Sequence, residues 1–441
     1  MKTNNVHQIS NTNSLDKEID GKTLTESDIQ ILNELNSLYA HTTSGCKHCI
    51  VSLRKDAVST ETHSFESLTE FKNRFLHEPK LVGKNRGDAW LKWSGKKYFP
   101  DGLAYCPDDK LCPTTQYNLY TGFAVKPKEG EITPFIDHIH EVICDGQTEV
   151  SHYLLQYFAH MIQKPQEKPS VAVVMKSVQG AGKGSMMEPF KQILGANVTQ
   201  TNGAYLVAGR FNNSIGNRIL VFADEVELTN KKIADKLKAL ISEKSVYLER
   251  KGFDAVEFPN YLRFIFASNH DHVLLAGIKE RRYLVLEPSD KFAQDKAYFN
   301  RYFEWLDNDG AAHLLHYLQN MDISDFDPRR APITKALQDE ILANLSPQQE
   351  YLIYELSLEK PFGACRVSPN DVFVRFDDFL KEKQIRFSMP QIRSIIGKLF
   401  SKLGIPSTGK RGVNLMYQLP EPETLRKILA NRLGVSPDDL L

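Results

Sequence analysis

The chain has no net charge, since 55 Lys plus Arg balance 55 Asp plus Glu over 441 residues. No global basic field draws it to nucleic acid or to an acidic membrane, so any such binding has to use local patches. It also lacks a run of about eighteen apolar residues, which excludes a helical membrane span. Its first residues are polar, without the apolar stretch and basic flank of a signal peptide. These absences favour the cytoplasm and argue against a membrane partner. Cysteine is scarce, at six residues, which fits a reducing compartment better than a disulfide framework. Cys46, Cys49, Cys106 and Cys112 are conceivable zinc ligands, but the second spacing is unusual and Cys49 opens a strand-like run, so packing is the simpler account. Internal repeats are absent, and so is low complexity outside a polar N-terminal tail.

What is present is a phosphate-binding pattern. Val171 to Ser185 reads VAVVMKSVQGAGKGS, an apolar strand-like run feeding a glycine-rich turn with a lysine. Gly180 and Gly182 permit a tight turn, and Lys183 is placed to contact β/γ-phosphates, with Ala181 between the glycines. Compared with G-x-x-x-x-G-K-[ST], Ser177 stands at the first glycine and Gly184 at the hydroxyl position, so a metal-directed hydroxyl falls to Ser185. About forty residues on, Arg218 to Glu225 forms a second apolar run ending in Asp224 and Glu225. Asp224 suits Mg²⁺ or its water, and Glu225 suits polarising an attacking water. Arg263 to Asn269 repeats the design with an amide at its tip, and Arg281-Arg282 follows about a dozen residues later.

In this order the motifs resemble the superfamily 3 helicases, a branch of the AAA+ ATPases, and more closely the primase-associated helicases of phages, plasmids and chromosomal cassette elements. "YNLYTGFAVKP" (Tyr117 to Pro127), "GRFN" (Gly209 to Asn212), "FADE" (Phe222 to Glu225) and Lys251-Gly252 also match, so the resemblance runs from about Trp90 to Glu287. It implies an α/β P-loop ATPase core, ATP and Mg²⁺ as cofactors, and a homo-hexameric ring with ATP between subunits. Arg281 or Arg282 of one subunit would then complete its neighbour's site. It further implies translocation on single-stranded and forked DNA during replication of a phage or mobile element, with a separate primase or polymerase as partner. The alternatives are an origin-binding initiator with a nucleotide switch and, from the Gly184-Ser185 ending, a nucleotide kinase.

Two segments supply the local DNA-binding candidates. Val246 to Glu249 and Ala255 to Phe258 predict a β-hairpin whose tip carries Arg250, Lys251 and Phe253, cations and an aromatic suited to gripping a single strand. Arg366 to Gln418 holds ten Lys plus Arg against four Asp plus Glu, a local basic patch. Its two helical patterns and the Gly-Lys-Arg-Gly turn resemble a winged helix, with Arg393, Lys398 and Lys402 on the recognition helix and Lys410 and Arg411 at the wing.

The expected organisation is a disordered tail at 1–25, an N-terminal α+β accessory region at 26–134 and a helical oligomerisation segment at 135–167. The ATPase core follows at 168–299, then a helical extension at 300–365 and the winged-helix-like module at 366–441. Trp90, Trp93, Tyr98 and Phe99 are expected to fill a small core in the accessory region.

Overall fold

A computed structural model describes residues 17–53, 63–177, 180–202, 215–226, 229, 231–248, 255–270, 272–276, 280–363, 365–409 and 415–440. The chain forms two compact units. The first takes in most residues up to Pro332, and the second holds residues 228–234, 272–281 and 333–441.

The first unit opens with helix α1 (Glu26–Leu38), begun by a Thr25 capping box, in which side chain and backbone satisfy each other's free donors. An antiparallel sheet follows, of β1 (Tyr39–Ser44), β2 (Lys47–Leu53) and β3 (His63–Ser67). Helices α2 (Leu68–Arg74) and α3 (Arg86–Lys92) pack on it through Phe71, Phe75 and Trp90. Two expectations change here. Residues 17–25 belong to this packing, since Glu18–Ile19 pairs with Lys22–Thr23 and Ile19 and Leu24 are buried. Tyr98 is 43% exposed, whereas Trp90 and Trp93 are buried, and its ring lies over His41 of β1 instead of in the cluster around Trp90.

Helix α4 (Thr148–Gln163) is apolar almost all round and is correspondingly buried along most of its length. Its Gln163 amide donates to the carbonyls of Leu318 and Met321 at 2.7 Å each, which docks the helix on the rest of its unit. A π-helical turn, His138–Ile143, precedes it.

Five parallel strands then form the central sheet. They are β4 (Ala172–Lys176), β5 (Val198–Asn202), β6 (Leu220–Asp224), β9 (Arg263–Ser268) and β10 (Tyr283–Leu286), in spatial order β10-β4-β9-β6-β5. Helix α5 (Glu188–Leu194) follows β4, and α6 (Lys231–Ser242) follows β6. Strands β4, β6, β9 and β10 have the sequences of strands covered on both faces and are almost wholly buried, whereas the edge strand β5 is polar. Between β6 and β9, an antiparallel hairpin of β7 (Ser245–Leu248) and β8 (Val256–Pro259) pairs Val246 with Phe258. Helices α7 (Lys296–Trp305) and α8 (Ala311–Asn320) complete the unit.

The expected helical extension at 300–365 is not one piece. Helices α7 and α8 belong to the first unit, whereas α9 (Lys335–Ala343) and α10 (Pro347–Ser357) belong to the second. There they join β11 (Arg366–Val367), α11 (Pro369–Glu382), α12 (Met389–Leu403), β12 (Ser407–Thr408), β13 (Met416–Gln418) and α13 (Pro422–Leu433). The three short strands form an antiparallel sheet in the order β11-β13-β12. The buried Glu355 of α10 accepts both Arg375 donors of α11, at 2.9 and 3.0 Å, and the Phe362 N–H at 2.7 Å. This arrangement satisfies a carboxylate that would otherwise be costly to bury.

Candidate active site

The central sheet has one topological switch point. From β4 the chain runs outward to β5, returns through β6 to β9 beside β4, and then lays β10 on the other side of β4. Ligands of open parallel sheets bind outside the carboxyl ends of the strands at such a point. The glycine-rich turn follows β4 at this place.

Gly180 and Gly182 have φ of +86° and +88°, a region that side chains with a Cβ rarely adopt. At Gly182 a Cβ would also lie 2.7 Å from His138 Cε1, so this position admits only glycine. Lys183 is 8% exposed. Its ammonium donates to the carbonyls of Ser177 (2.7 Å) and Ser268 (3.2 Å) and to Asn269 Oδ1 (2.7 Å). Burial lowers its pKa, opposed by the nearby Asp224 carboxylate. The structure thus brings Lys183, Asn269 and Asp224 together from three separate strands.

Asp224 ends β6, and its Oδ1 accepts the Glu225 N–H at 2.9 Å. Glu225 itself has φ +54°, a strained conformation for a non-glycine residue of the kind concentrated at functional sites, costing about 1–3 kcal/mol. Its exposed carboxylate accepts from the Asn202 amide at 3.0 Å, and Asn202 is the last residue of β5. The sequence offered no signal for this partner, because the pairing depends on β5 lying beside β6.

A second group missed by sequence reasoning supports the loop from behind. His138 is fully buried, with Nε2 3.1 Å from the Gly182 carbonyl and Nδ1 3.0 Å from the Tyr298 hydroxyl. A carbonyl only accepts, so Nε2 carries the proton and Nδ1 accepts from Tyr298. Burial lowers the His138 pKa to about 4, although the Gly182 carbonyl favours the charged ring. The Tyr302 hydroxyl donates to the Ser185 carbonyl at 3.1 Å. Ser185 opens a 3₁₀ turn, Ser185–Met187, so the α-helical N-terminus starts only at Glu188. Ala181 is buried, and a Cβ at Gly184 would meet nothing within 4 Å.

The fit of this site to a nucleotide phosphate and Mg²⁺ rests on its donors. Lys183 is a nearly buried cation that donates to two carbonyls and an amide oxygen, and Asp224 and Glu225 stand at the end of β6, one strand beyond β9. An ammonium so placed favours an anion, and carboxylate oxygens suit Mg²⁺.

Arg282 lies at the other end of the sheet. Its carbonyl accepts the Ala172 N–H at 2.8 Å, beside the first residue of β4, which puts it roughly 16 Å of strand away from the loop. Its Nε donates to Ser242 Oγ at 3.1 Å. Arg282 therefore cannot complete the site of its own chain, and its neighbour Arg281 is exposed.

The hairpin base is present, but Arg250, Lys251 and Phe253 lie outside the described residues, as do Lys410, Arg411 and the stretch Gly209 to Asn212. On α12, Arg393, Lys398 and Lys402 are exposed while Ile392, Ile396 and Phe400 face the core. At about 100° per residue, Lys398 and Lys402 are about 40° apart around the helix and Arg393 is about 140° from Lys398. The three cations therefore do not share one face. Among the described residues no group of three or more His, Cys, Asp or Glu side chains is placed to hold a metal. Cys106 and Cys112 lie close enough to act on each other's thiol, but Cys49 is buried in β2 and Cys46 is exposed. No helix among the described residues is long and apolar enough to cross a membrane.

Residues 175–282 match a family of unknown function, DUF5906, and this span contains the loop, the acids and Asn269. The chain is similar to the DNA primase-polymerase of Nitratiruptor phage NrS-1, at 29% identity over 134 residues. The match covers 29% of this chain and 18% of that protein, less than a fifth of the relative's length. One solved structure, the apo NrS-1 C-terminal region, superimposes with a TM-score of 0.67 at 15% identity, covering 90% of this chain and all of that one. A second, the A form of the apo C-terminal region, gives 0.68 at 15% identity over 88% and 98%. The chain therefore shares the fold of the NrS-1 C-terminal region.

Proposed function

We propose that this chain is an ATP-driven DNA motor of a phage-type replication system, a ring helicase with an α/β P-loop core of the superfamily 3 type. The observation that carries the proposal is the convergence of Lys183, Asn269 and the Asp224-Glu225 pair at the switch point of a parallel sheet. Lys183 would bind β/γ-phosphate oxygens, exchanging its contacts with neutral carbonyls for charged ones. Asp224 and the Ser185 hydroxyl would hold Mg²⁺, which when bound neutralises phosphate charge. Glu225, held by Asn202, would orient and polarise the attacking water, and Asn269 would position the γ-phosphate or that water.

The similarity to a DNA primase-polymerase supports a role in DNA replication. This site suits the motor part of such a system better than nucleotide polymerisation, because its cation sits on a glycine turn beside a single acidic strand end. The placement of Arg282 far from its own loop supports assembly into a ring, with a neighbouring subunit supplying an arginine to that loop. The order helix, strand, two helices and hairpin in the second unit supports a winged-helix reading, with duplex DNA as the partner of Lys398 and Lys402.

The test is ATP turnover with and without forked DNA, alongside unwinding of forks of both polarities. DNA-stimulated hydrolysis coupled to unwinding is the expected result. Hydrolysis or nucleotide-dependent assembly without unwinding would favour the origin-binding initiator. Phosphoryl transfer to a nucleoside monophosphate would favour the kinase.

A further inference from the structure

The first unit carries an aromatic and cationic surface separate from the phosphate loop. The face of β1 and β2 that packs Tyr39 and Ile50 under the helices continues past them. His41 pairs with Ile50 and Thr43 with His48 in register, so both histidines lie on this face. Tyr98 bridges to His41, and its ring lies against His41 in a tilted contact, 4.7 Å between centroids and 31° between planes. His48 lies 5.1 Å from His41 on the same ladder. Tyr98 is 43% exposed, whereas His41 is 9% exposed, and neither His41 ring nitrogen has a hydrogen-bond partner among the described residues. The Lys96 ammonium stands 5.6 Å from the centre of the Tyr98 ring.

The electrostatics are one-sided. The ionisable groups acting on His41 are His48 and Lys96, and Lys96 is itself shifted down by burial, with no carboxylate among the described residues acting on it. A partly desolvated cation without an acidic neighbour is poised to take an anion. A buried imidazole with both nitrogens unbonded is a retained cost that calls for a reason. Supporting the exposed Tyr98 ring is such a reason.

We propose that Tyr98, backed by His41 and flanked by Lys96, is a subsite for single-stranded DNA, stacking one base on the Tyr98 ring while Lys96 contacts the adjacent phosphate. An exposed aromatic face beside an unopposed ammonium has the chemistry of sequence-tolerant strand binding. This assignment rests on the replication reading above, but not on ATP hydrolysis.

The experiment uses the full chain without nucleotide. A fluorescent oligothymidylate is titrated by anisotropy at several salt concentrations, and a 5-iododeoxyuridine oligonucleotide is photocrosslinked and mapped by mass spectrometry. Tyr98→Ala should weaken binding by roughly 5- to 100-fold, Tyr98→Trp should retain it, and Lys96→Gln should make the salt dependence shallower by about 0.7 in logarithmic slope. Crosslinks should map to the peptide bearing Tyr98. Thermal melting checks that each variant folds, and Tyr98→Phe provides a milder change that should keep stacking. Parental affinity in Tyr98→Ala with no crosslink there would overturn the proposal. So would binding that depends on Lys96 but not on Tyr98, which would mark a plain anion patch. ATP hydrolysis without Tyr98-dependent binding would leave the motor reading standing alone, and the converse would leave this subsite standing alone.

Discussion

The two ends of the five-stranded sheet carry opposite chemistry. At the carboxyl ends of β4, β6 and β9 stand a glycine turn, one lysine, two acids and an amide, an arrangement open to a phosphate. At the amino ends stand arginines instead, and two of them, Arg263 and Arg282, have different uses. Arg263 is 1% exposed and donates to the carbonyls of Lys164, Pro165, Tyr261 and Glu167, tying β9 to the segment after α4. Arg282 reaches the surface beside Ser242. Arg282 thus lies at the opposite end of the sheet from its own phosphate loop, a separation that a shared site between subunits would use.

The largest effect expected at the phosphate end follows removal of its cation. Lys183→Ala should abolish ATP hydrolysis, with a loss of at least about 10³-fold, and greatly weaken ATP binding. Glu225→Gln should retain ATP binding while turnover falls by about 10²-fold or more. Isothermal titration and phosphate release separate the two. Parental hydrolysis by Glu225→Gln would reassign the water-polarising group.

A smaller effect tests the support behind the loop. His138→Ala removes the donor to Gly182 and should weaken nucleotide affinity by about 10-fold, about one to two hydrogen bonds' worth. His138→Gln, which keeps an N–H donor, should recover part of it. The same histidine has a pH signature. Its folded pKa of about 4 lies below the ordinary value of 6.5, so the unfolded chain takes up the proton first. The stability it contributes is full above about 6.5 and falls as pH drops toward about 4, by about 1.4 kcal/mol for each pH unit crossed. His41 and His160 are also depressed to about 4 by burial, with the same sign. Melting temperature against pH should therefore fall less steeply in His138→Gln than in the parent, and identical slopes would count against the assignment.

The smallest effect concerns the second unit. Replacing Lys398 and Lys402 with Gln should leave basal ATP turnover unchanged and lower the salt slope of duplex binding by about 1.8, two phosphates at about 0.9 each. Arg393→Gln alone should change duplex affinity less, because Arg393 lies on a different side of α12. An equal effect from Arg393 would move the DNA-facing side of the helix.

The local patterns of the core were legible in the sequence. Apolar runs ending at Lys176, Asp224 and Ser268 do form adjacent parallel strands, and the interrupted alternation around 245–259 does form a hairpin, because each depends on local pattern. What sequence reading missed depends on contacts between distant segments. Asn202 meets Glu225 only because β5 lies beside β6, and His138 meets Gly182 across 44 residues through a π-helical turn that reads as ordinary helix. Tyr98 was expected inside because aromatics usually are, yet it lies over His41 with 43% of its surface exposed. The helices at 300–365 look continuous in composition, and only tertiary packing divides them between two units.

The difference between the two sheet ends is tested most directly by mixing two inactive proteins. Lys183→Ala lacks the phosphate cation but keeps Arg281 and Arg282, whereas a double Arg281→Ala, Arg282→Ala variant keeps Lys183 and lacks both arginines. ATP hydrolysis is measured for each alone and for mixtures whose co-assembly is verified by native mass spectrometry. A site shared between subunits predicts that the mixture recovers part of the parental turnover, because at some interfaces an intact loop meets an intact arginine end. Co-assembled mixtures with no recovery, or arginine variants that hydrolyse ATP at the parental rate on their own, would contradict it.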